Sequence, residues 1–522
     1  MGYRNDNDAL TVMDWFCGAG GSSQGMHAVP NLRVERAANH WQLAIDSHEA
    51  NFPEASHFRG DIRKAPVWAW PVTDIFWASP ECTNWSIAKG QQRSFEQAMQ
   101  GDLLELYAQI EEGKFVSYDD EDPEKPVTEE EESRALMEEV PLYLRGVIER
   151  GGLVKAGIVE NVVDVRQWDE WDRWIGEIRK MGYKTRVIAL NSMHADPRSV
   201  HRAPQSRDRL YVGYWHESLG RDPDWDKWLR PRAWCEACGV FVQAVQAFKQ
   251  PGRDMGRYRS QYVYRCPNSS CRHQVVEPEV LPAAAAIDWS LPGQRIGDRK
   301  RPLADKTLAR IRAGMAKFSL PVSERSTRDS EALMVPPLMV PVEGREGKDA
   351  ASAHGPLRTM TTRNETGLAW LPFIAELRGG GSVARPVTES LATVTASGNH
   401  HGLCVPPGAS EHMLIPYYGN GTPRPIEEPI GALTTRDRYA LVKGSIDIND
   451  VLFRMLEPRE IGRAMSFADE YIVLGNKREQ VRQYGNAVTP NASEVLVCAL
   501  VEAITGEDIE RHAPTADLTI AA

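Results

Sequence analysis

The amino-acid sequence predicts an α/β protein whose central sheet is mostly parallel. Short apolar runs typical of buried strands recur through the first 225 residues, and helical spacing follows several of them. A glycine-rich turn, Cys17–Gly25, comes directly after the first run, and a stretch that contains a cysteine, Trp77–Ser86, overlaps the end of a later one. Because such folds place their ligands at the carboxyl ends of the strands, we expect a Rossmann-like domain with its site at that edge.

The composition limits the class of protein. The chain has 522 residues, too many for one hydrophobic core, so two or three domains are expected. No apolar run approaches the roughly 18 residues that a membrane span needs, and the polar N-terminus lacks a secretory signal. We therefore expect a cytoplasmic protein without a membrane partner. The net charge of -11 argues against a general binder of polyanions, so any nucleic-acid surface must be local.

The first predicted strand, Leu10–Phe16, leads into the glycine-rich turn. Glycines there permit a tight reversal and let a ligand approach the backbone at a helix N-terminus. An ordinary strand–helix turn is the alternative. The turn does not end in Lys followed by Ser or Thr, which argues against a loop that binds nucleotide triphosphates.

The second predicted strand, Leu32–Ala38, leads to a candidate ribose site. Nucleotide-binding folds usually place a carboxylate after this strand to hold ribose hydroxyls. Here His40 takes that place, and it can bond a hydroxyl without a carboxylate's charge. Trp41 is either a stacking partner for an adenine ring or a core residue, and Asp61 is a candidate acceptor for the adenine amino group.

Three further places carry candidate chemistry. Cys82 follows the apolar strand Ile75–Ala78 and is either a nucleophile or a small core residue. Glu160 interrupts a short apolar strand, where burial should raise its pKa and suit it to proton donation, unless it is merely structural. Arg207 and Arg209 alternate at the start of a strand, so they either grip a phosphate or a base carbonyl from one face or form surface salt bridges.

Four cysteines in the middle of the chain have the spacing of a zinc ribbon. Cys235 and Cys238 are separated from Cys266 and Cys271 by 27 residues, 239 to 265. Two close pairs at this separation predict a zinc ion with four thiolate ligands, and His273 is an alternative ligand. Such a site is structural, because four protein ligands leave no open position for catalysis.

Other segments suggest nucleic-acid contacts. Interleaved basic and aromatic residues lie between the cysteine pairs and indicate either a nucleic-acid surface or an ordinary solvated hairpin; they are Arg253, Arg257, Tyr258, Arg259, Tyr262, Tyr264 and Arg265. Lys300–Phe318 predicts a basic amphipathic helix. Between about 335 and 442, three weakly similar segments begin at Leu357, Leu391 and Ile430 and predict short strands and loops. Arg363, Arg436 and Arg438 are candidate contacts to phosphates or bases.

The motifs, taken in order, resemble those of cytosine-5 DNA methyltransferases. They are Asp14–Gly21, the stretch around Cys82, Glu160–Val162, Gln205–Arg209, Arg454–Glu460 and Gln483–Pro490. The last of these resembles the family motif that folds back to complete the cofactor site. The matches bracket nearly the whole chain, and six motifs in order are far more specific than any one of them.

The resemblance implies a reaction and roles for individual residues. Cys82 adds as a thiolate to carbon 6 of a cytosine in double-stranded DNA. The cytosine must first be flipped out of the duplex, because an enzyme cannot reach a base inside the stack. Glu160 contacts ring nitrogen 3 and the exocyclic amine, and one arginine of the pair Arg207 and Arg209 holds the base carbonyl. S-adenosylmethionine supplies the methyl group to carbon 5. The implied cofactor-binding residues are Phe16, Gly18, Gly20, His40, Trp41, Asp61 and Asn486.

Two positions depart from the family pattern. The family almost always has Pro directly before the cysteine, whereas this chain has Glu81 there, with Pro80 one position earlier. A carboxylate beside the thiol should raise the pKa of Cys82 and slow its attack, unless it points away, is paired or faces the cofactor's sulfonium. His40 in the ribose position predicts an altered affinity for the cofactor.

The resemblance, the spacing of the cysteines and the composition together predict a division into domains. We expect a Rossmann-like, S-adenosylmethionine-dependent methyltransferase domain from residues 1–225 and 445–522, a zinc ribbon at 230–280, a linker and basic helix at 281–319, and a β-rich target-recognition domain at 320–444. We expect a monomer in the cytoplasm of a bacterium or a phage-infected host, with a possible cognate restriction nuclease. The alternatives are an RNA cytosine-5 methyltransferase and a catalytically impaired DNA-binding relative.

Overall fold

A computed structural model of the chain describes four main ranges of residues, 9–80, 129–311, 349–370 and 448–511. Within them it omits 289, 292, 306, 310, 354, 361, 364 and 365, and between them it describes the backbone of several short strands. Glu81, Cys82, Arg436, Arg438 and the last part of the predicted basic helix, residues 312–318, lie outside the described residues. The chain divides into unit 1, formed by Met1–Val280 and Met465–Ala522, and unit 2, formed by Leu281–Ala464.

Unit 1 is built on a mixed seven-stranded sheet with the order β3-β2-β1-β4-β5-β7-β6. Six strands are parallel, and β7 runs antiparallel to both of its neighbours. The strands are β1 Leu10–Trp15, β2 Leu32–Asn39, β3 Ser56–Arg59, β4 Ile75–Ala78, β5 Ala156–Asn161, β6 Tyr183–Asn191 and β7 Asp208–His216. The prediction of an α/β protein with a mostly parallel sheet is therefore confirmed.

The central strands are buried on both faces, as their uninterrupted apolar runs predict. All four residues of β4 have no exposed surface. Helices cover the sheet: α1 Gly21–His27, α2 Gln42–Asn51, α3 Glu129–Glu149, α4 Trp171–Lys180 and α5 Trp225–Leu229. On α4, Trp171 and Trp174 are buried one turn apart, and Trp168 before the helix is buried too, which confirms that these tryptophans belong to the core.

The C-terminal segment returns to the sheet as two helices, α7 Lys477–Asn486 and α8 Pro490–Thr505. A reciprocal capping box starts α7, in which the Asn476 side chain accepts from the backbone N–H of Glu479 and the Glu479 carboxylate accepts from that of Asn476. Most of α8 is buried. The stretch Lys477–Thr505 is long and apolar enough to cross a membrane by length and composition, contrary to the expectation that the sequence contains no such run. However, 89% of its apolar window is buried inside the protein.

The cysteine-containing part of unit 1 consists of two small sheets. A hairpin joins β8 Arg232–Cys235 to β9 Val240–Gln243, and a second sheet contains β10 Val245–Phe248, β11 Tyr262–Arg265 and β12 Val275–Val276. Tyr262 and Tyr264 are at most 1% exposed and stack with His194 or one another in the core. The expectation that these two tyrosines form a nucleic-acid surface is therefore wrong, because β11 turns both of them inward.

Unit 2 contains three consecutive groups of three strands. Each group has a first strand paired with a short second strand and with a third strand, all antiparallel. The groups are β14 Leu338–Pro341, β15 Ala351–Ser352 and β16 Thr366–Trp370; β17 Phe373–Glu376, β18 Ala384–Pro386 and β19 His401–Cys404; and β20 His412–Pro416, β21 Arg424–Pro425 and β22 Tyr439–Lys443. The weak internal repeat in the sequence is therefore a repeat in structure.

The first group of unit 2 joins two further strands into a five-stranded sheet. These are β13 Gln294–Arg295 and β23 Leu452–Met455, and β23 lies between β13 and β16. Residues 445–464, which the sequence assigned to the catalytic domain, lie in unit 2 in the structure because β23 pairs with β16. Helix α6, Pro458–Ala464, follows.

A buried ion pair closes the Arg454–Glu460 motif within unit 2. The Arg454 guanidinium donates to both carboxylate oxygens of Glu460 at 2.7 Å, and Glu460 is 1% exposed. The same carboxylate accepts from the backbone N–H groups of Asp288 and Glu457. Because the described partners of the Glu460 carboxylate are internal groups, this ion pair supports the local structure of unit 2.

Candidate active site

The glycine-rich turn after β1 reverses the chain through left-handed conformations. Phe16, Gly18 and Gly20 have φ angles of 60°, 54° and 96°. A side chain at Gly20 would overlap the hydroxyl of Tyr471, which itself donates to the carbonyl of Ala19 at 2.6 Å. The loop predicted to hold the cofactor is thus fixed from outside by the C-terminal segment, and glycine is required where that segment approaches.

A directed chain of hydrogen bonds lies under this loop. Asp14 is fully buried and accepts from the hydroxyls of Ser22 and Ser23 at 2.5 and 2.6 Å. Nε2 of His48 lies 2.9 Å from the Ser23 hydroxyl, and Nδ1 of His48 lies 2.8 Å from Nε2 of His57. Because the Ser23 proton goes to Asp14, His48 must donate through Nε2 and accept through Nδ1. The half-buried His57 is therefore linked to the core carboxylate.

Burial determines which of these hydrogen-bonded groups carry a proton. It raises the pKa of Asp14 to about 7, although the two serine hydroxyls act in the opposite direction. It also lowers the pKa of His48 to about 3, so this histidine stays neutral in the folded protein. Asp14 and the two serines belong to segments that the sequence singled out, but His48 and His57 were missed, since no local pattern links them to residues on α1.

The predicted cofactor residues lie at the carboxyl ends of β1 and β2 and on α7. The backbone N–H of Trp41 donates to the Asn39 side chain at 2.9 Å, which fixes the start of α2. The guanidinium of Arg482, on α7, lies 4.7 Å from the centre of the Trp41 ring. Trp41 is half-buried, and Asn486 is exposed at the end of α7. Helix α7 thus brings Asn486 and Trp41 to the same part of unit 1.

Two other predicted cofactor residues have different surroundings. His40 is exposed. The carboxylate of Asp61 binds Arg63, with a shortest distance of 2.6 Å, and caps a short helical turn. Partial burial raises the pKa of Asp61, but the bonds from Arg63 outweigh it and the pKa lies below its ordinary value. Asp61 therefore stays charged and remains available as an acceptor.

Glu160 and Arg209 form a partly buried ion pair at the carboxyl end of β5. Nε of Arg209 lies 3.2 Å from the carboxylate, and the two side chains are 17% and 12% exposed. Burial raises the pKa of Glu160, while Arg209, Arg207 and a hydrogen bond from Ser79 oppose the rise. The predicted rise in the pKa of Glu160 is confirmed in direction, and its cause is desolvation beside a cationic partner.

The neighbouring amide holds the segment that leads to Cys82. Nδ2 of Asn161 donates to the carbonyl of Pro80 at 3.4 Å, and the backbone N–H of Ser79 donates to the carbonyl of Trp15 at 3.1 Å. The carboxyl ends of β1, β4 and β5 therefore meet at Ser79 and Pro80. Cys82 itself lies two positions further along the sequence and outside the described residues.

Arg207 has a different environment from Arg209. It is 3% exposed, and its guanidinium donates to the carbonyls of Gly485 and Ala487 at 3.1 and 3.0 Å. Burial, together with the charge of Arg209, lowers the pKa of Arg207 to about 9. The two arginines, predicted to share one role, therefore contact different parts of the site.

The four cysteines predicted to bind zinc come together. The sulfur atoms of Cys235, Cys238, Cys266 and Cys271 all lie within 4.8 Å of one another. Tetrahedral zinc with thiolate ligands at about 2.3 Å needs sulfur atoms roughly 4 Å apart, so the set fits the ion. His273, the alternative ligand, instead places Nδ1 3.1 Å from the carbonyl of Cys266.

Comparison with known proteins agrees with the motifs. The family model described as C-5 cytosine-specific DNA methylase matches residues 10–114. A search of curated proteins found no match. Among solved structures, a mutant DNMT2 from Spodoptera frugiperda has 13% identity and a TM-score of 0.43, covering 95% of this chain and 100% of that chain.

Two further structures are similar at the same level. The Entamoeba histolytica methyltransferase EhMeth has 11% identity and a TM-score of 0.38, covering 95% of this chain and 98% of that one. A putative DNA modification methyltransferase encoded within a prophage of E. coli has 14% identity and a TM-score of 0.39, covering 95% and 99%. The family match at residues 10–114, which contains the glycine-rich turn and the Cys82 stretch, confirms that this chain resembles the cytosine-5 methyltransferases and supports a methyltransferase activity.

Proposed function

We propose that this protein is a DNA cytosine-5 methyltransferase. It transfers a methyl group from S-adenosylmethionine to carbon 5 of a flipped cytosine in a specific DNA sequence, through a covalent adduct of Cys82. The observation that carries this proposal is the partly buried ion pair of Glu160 and Arg209, 3.2 Å apart, beside the segment Ser79–Pro80 that leads to Cys82. A carboxyl group whose pKa is raised, next to a fixed guanidinium, matches the needs of a base with a ring nitrogen and a carbonyl.

The reaction assigns each group a defined task. The Cys82 thiolate forms a bond to carbon 6, and the electron pair of the 5,6 double bond becomes available at carbon 5. Glu160 shares its proton with ring nitrogen 3, and Arg209 donates to the base carbonyl. When bound, S-adenosylmethionine supplies an electrophilic methyl group. Loss of the carbon 5 proton and of the Cys82 thiolate then restores the double bond.

The cofactor would lie against the glycine-rich turn. The positive φ angles of Phe16, Gly18 and Gly20 expose backbone where a nucleoside approaches. Trp41, fixed by Asn39, and Asn486 at the end of α7 supply side chains on the same part of unit 1. Asp61, which stays charged, supplies an acceptor for an amino group.

We further propose that the four cysteines hold one structural zinc ion. Their sulfur atoms, all within 4.8 Å of one another, form a complete ligand set, and this leaves no open position for substrate. The ion would join the hairpin of β8 and β9 to the sheet of β10–β12, since each contributes a pair of ligands.

The repeated strands of unit 2 would form the target-recognition domain.

DNA is the proposed substrate because the matching family model is that of a DNA methylase and the chain carries a large β-rich insert. The competing substrate is RNA, because an RNA cytosine-5 methyltransferase could share these motifs. Purified protein should transfer tritiated methyl groups to duplex DNA of mixed sequence and not to transfer RNA, with Cys82→Ala as the inactive control. Methyl transfer to RNA alone would refute the DNA assignment. If the folded protein transfers methyl groups to neither DNA nor RNA, it is a catalytically impaired relative of the methyltransferases.

A further inference from the structure

Two arginines only two positions apart contact different parts of the site. Nε of Arg209 faces Glu160 at 3.2 Å, at the edge where the base is proposed to react. The guanidinium of Arg207 instead donates to the backbone carbonyls of Gly485 and Ala487. Those two carbonyls flank Asn486, the residue at which α7 ends and which is proposed to line the cofactor site.

The contacts of Arg207 are strong ones. A cation at the C-terminal end of a helix is stabilised by the helix dipole and by carbonyls that have no partner within the helix. Arg207 is 3% exposed, so little water competes for these bonds. One nitrogen of the guanidinium, Nη2, donates to both carbonyls, at 3.1 and 3.0 Å, and so holds the two carbonyls close to each other.

The backbone around Arg207 is tied to the same C-terminal segment. The N–H of Arg207 donates to the side chain of Asn191 at 3.0 Å. The residue after Asn191 is Ser192, and its hydroxyl lies 2.8 Å from the hydroxyl of Thr489. The backbone carbonyl of Ser192 accepts a hydrogen bond from Nδ2 of Asn491 at 2.8 Å. The end of β6, the start of β7 and residues 485–491 therefore form one bonded unit with Arg207 in it.

We propose that Arg207 is a positioning residue for the cofactor loop, whereas Arg209 alone contacts the base. Arg207 acts by holding the end of α7, and with it Asn486, against the sheet edge. This inference rests on the proposed use of S-adenosylmethionine. It divides a motif, Gln205–Arg209, into one residue for chemistry and one for cofactor binding.

The division predicts separable defects. Arg207→Lys keeps the charge, but a lysine ammonium is a strongly hydrated point charge on a flexible stem, so it should hold the two carbonyls less firmly than the buried guanidinium nitrogen that donates to both. Its affinity for the cofactor product, S-adenosylhomocysteine, should fall about fivefold or more, a typical size for coupling between two sites. Once cofactor is saturating, its reaction with the base should remain.

The experiment compares Arg207→Lys with the matched variant Arg209→Lys. Isothermal titration with S-adenosylhomocysteine gives the cofactor affinity. The covalent adduct is trapped with a PCR-made duplex that contains 5-fluorodeoxycytidine in place of every deoxycytidine, in the presence of saturating S-adenosylmethionine. The adduct is seen as a shifted band in a denaturing gel. Arg207→Lys should bind cofactor weakly and still form the adduct, and Arg209→Lys should bind cofactor as the wild type does and form none.

Each outcome decides the question. Unchanged cofactor affinity in Arg207→Lys, or a lost adduct at saturating cofactor, overturns the assignment. If this variant does not fold, hydrogen exchange of the wild type replaces it: S-adenosylhomocysteine should protect the amides of 205–208 together with those of 483–488, and protection limited to 483–488 overturns the proposal. A wild type that binds no S-adenosylhomocysteine shows that the proposed function has failed, before any variant is compared.

Discussion

At the scale of single residues, burial determines what the polar groups of the site can do. Glu160 and Asp14 are carboxyl groups whose pKa values are raised by desolvation, and each is held by specific donors. The apolar neighbours of Glu160 in the sequence were enough to predict its raised pKa. The separate partners of Arg207 and Arg209 could not be predicted, because they depend on where residues 485–487 return in space.

Replacement of Glu160 by Gln tests the proposed proton shuttle. The amide keeps the shape but loses the charge that faces Arg209 and the proton that ring nitrogen 3 would share. We expect methyl transfer to fall by about 10²–10⁴-fold, the usual contribution of a general acid or base. The measurement is single-turnover methyl transfer from S-adenosylmethionine. Activity within about threefold of the wild type, from a variant that binds cofactor normally, would exclude this role.

Asp14 should make the stability of the protein depend on pH. Its pKa rises from 3.8 to about 7 on folding, so between these values the folded state holds a proton that the unfolded state has lost. Stability should therefore fall as the pH rises from 4 to 7, by at most about 4 kcal/mol. Asp14→Asn can still accept from both serines and should lack this fall.

The check is the thermal midpoint of each protein between pH 4 and 8. The thermal midpoint of Asp14→Asn should rise relative to that of the wild type as the pH rises. The control Asp172→Asn, at an exposed position on α4, should have the same pH dependence as the wild type. Parallel curves for wild type and Asp14→Asn would show that Asp14 does not take up a proton on folding.

At the scale of elements, contacts between the two ends of the chain position the site. Helix α1 starts at the cofactor turn and packs on α8, and a side chain at Gly25 would overlap the carbonyl of Pro490 and lie 2.9 Å from the N–H of Glu494. The sequence indicated the turn and the returning motif separately. It could not indicate that Gly25 is required by helix packing, since a glycine one turn into a helix has no distinctive pattern.

Gly25→Ala should therefore destabilise the protein. The added methyl group must push α1 away from α8, at a cost of about 1–3 kcal/mol, and should also weaken cofactor binding at the turn. Gly176→Ala on α4 is the matched control, because a side chain there meets no atom within 4 Å and alanine favours a helix. Thermal melting checks both; equal melting temperatures for the two variants would contradict close packing of α1 on α8.

The cysteine cluster gives a prediction at the same scale. The purified protein should contain one zinc ion per chain, measured by atomic emission. Cys266→Ser should lose it and lower the melting temperature, because the ion links two small sheets. Cys498→Ala removes a buried thiol far from the cluster and should keep the metal. Full zinc content in Cys266→Ser would mean that the metal is held elsewhere.

At the scale of the whole molecule, the order of motifs predicted more than any local pattern. The sheet of unit 1 and the return of residues 465–511 to it follow from that order. The internal repeat of unit 2 was visible as three weakly similar segments, which begin at Leu357, Leu391 and Ile430, and each of them is followed by the third strand of a group, β16, β19 or β22. The grouping of 445–464 with unit 2 was not predictable, because it results from the pairing of β23 with a strand more than 80 residues earlier, at 366–370.

The central claim is methylation of DNA at cytosine carbon 5 through Cys82. Its most direct test is bisulfite sequencing of mixed-sequence DNA after incubation with the protein and S-adenosylmethionine, beside Cys82→Ala. Methylation confined to one short sequence, and absent with Cys82→Ala, is the predicted result. Unmethylated DNA after treatment with folded, cofactor-binding wild type, or equal methylation by both proteins, would contradict the claim.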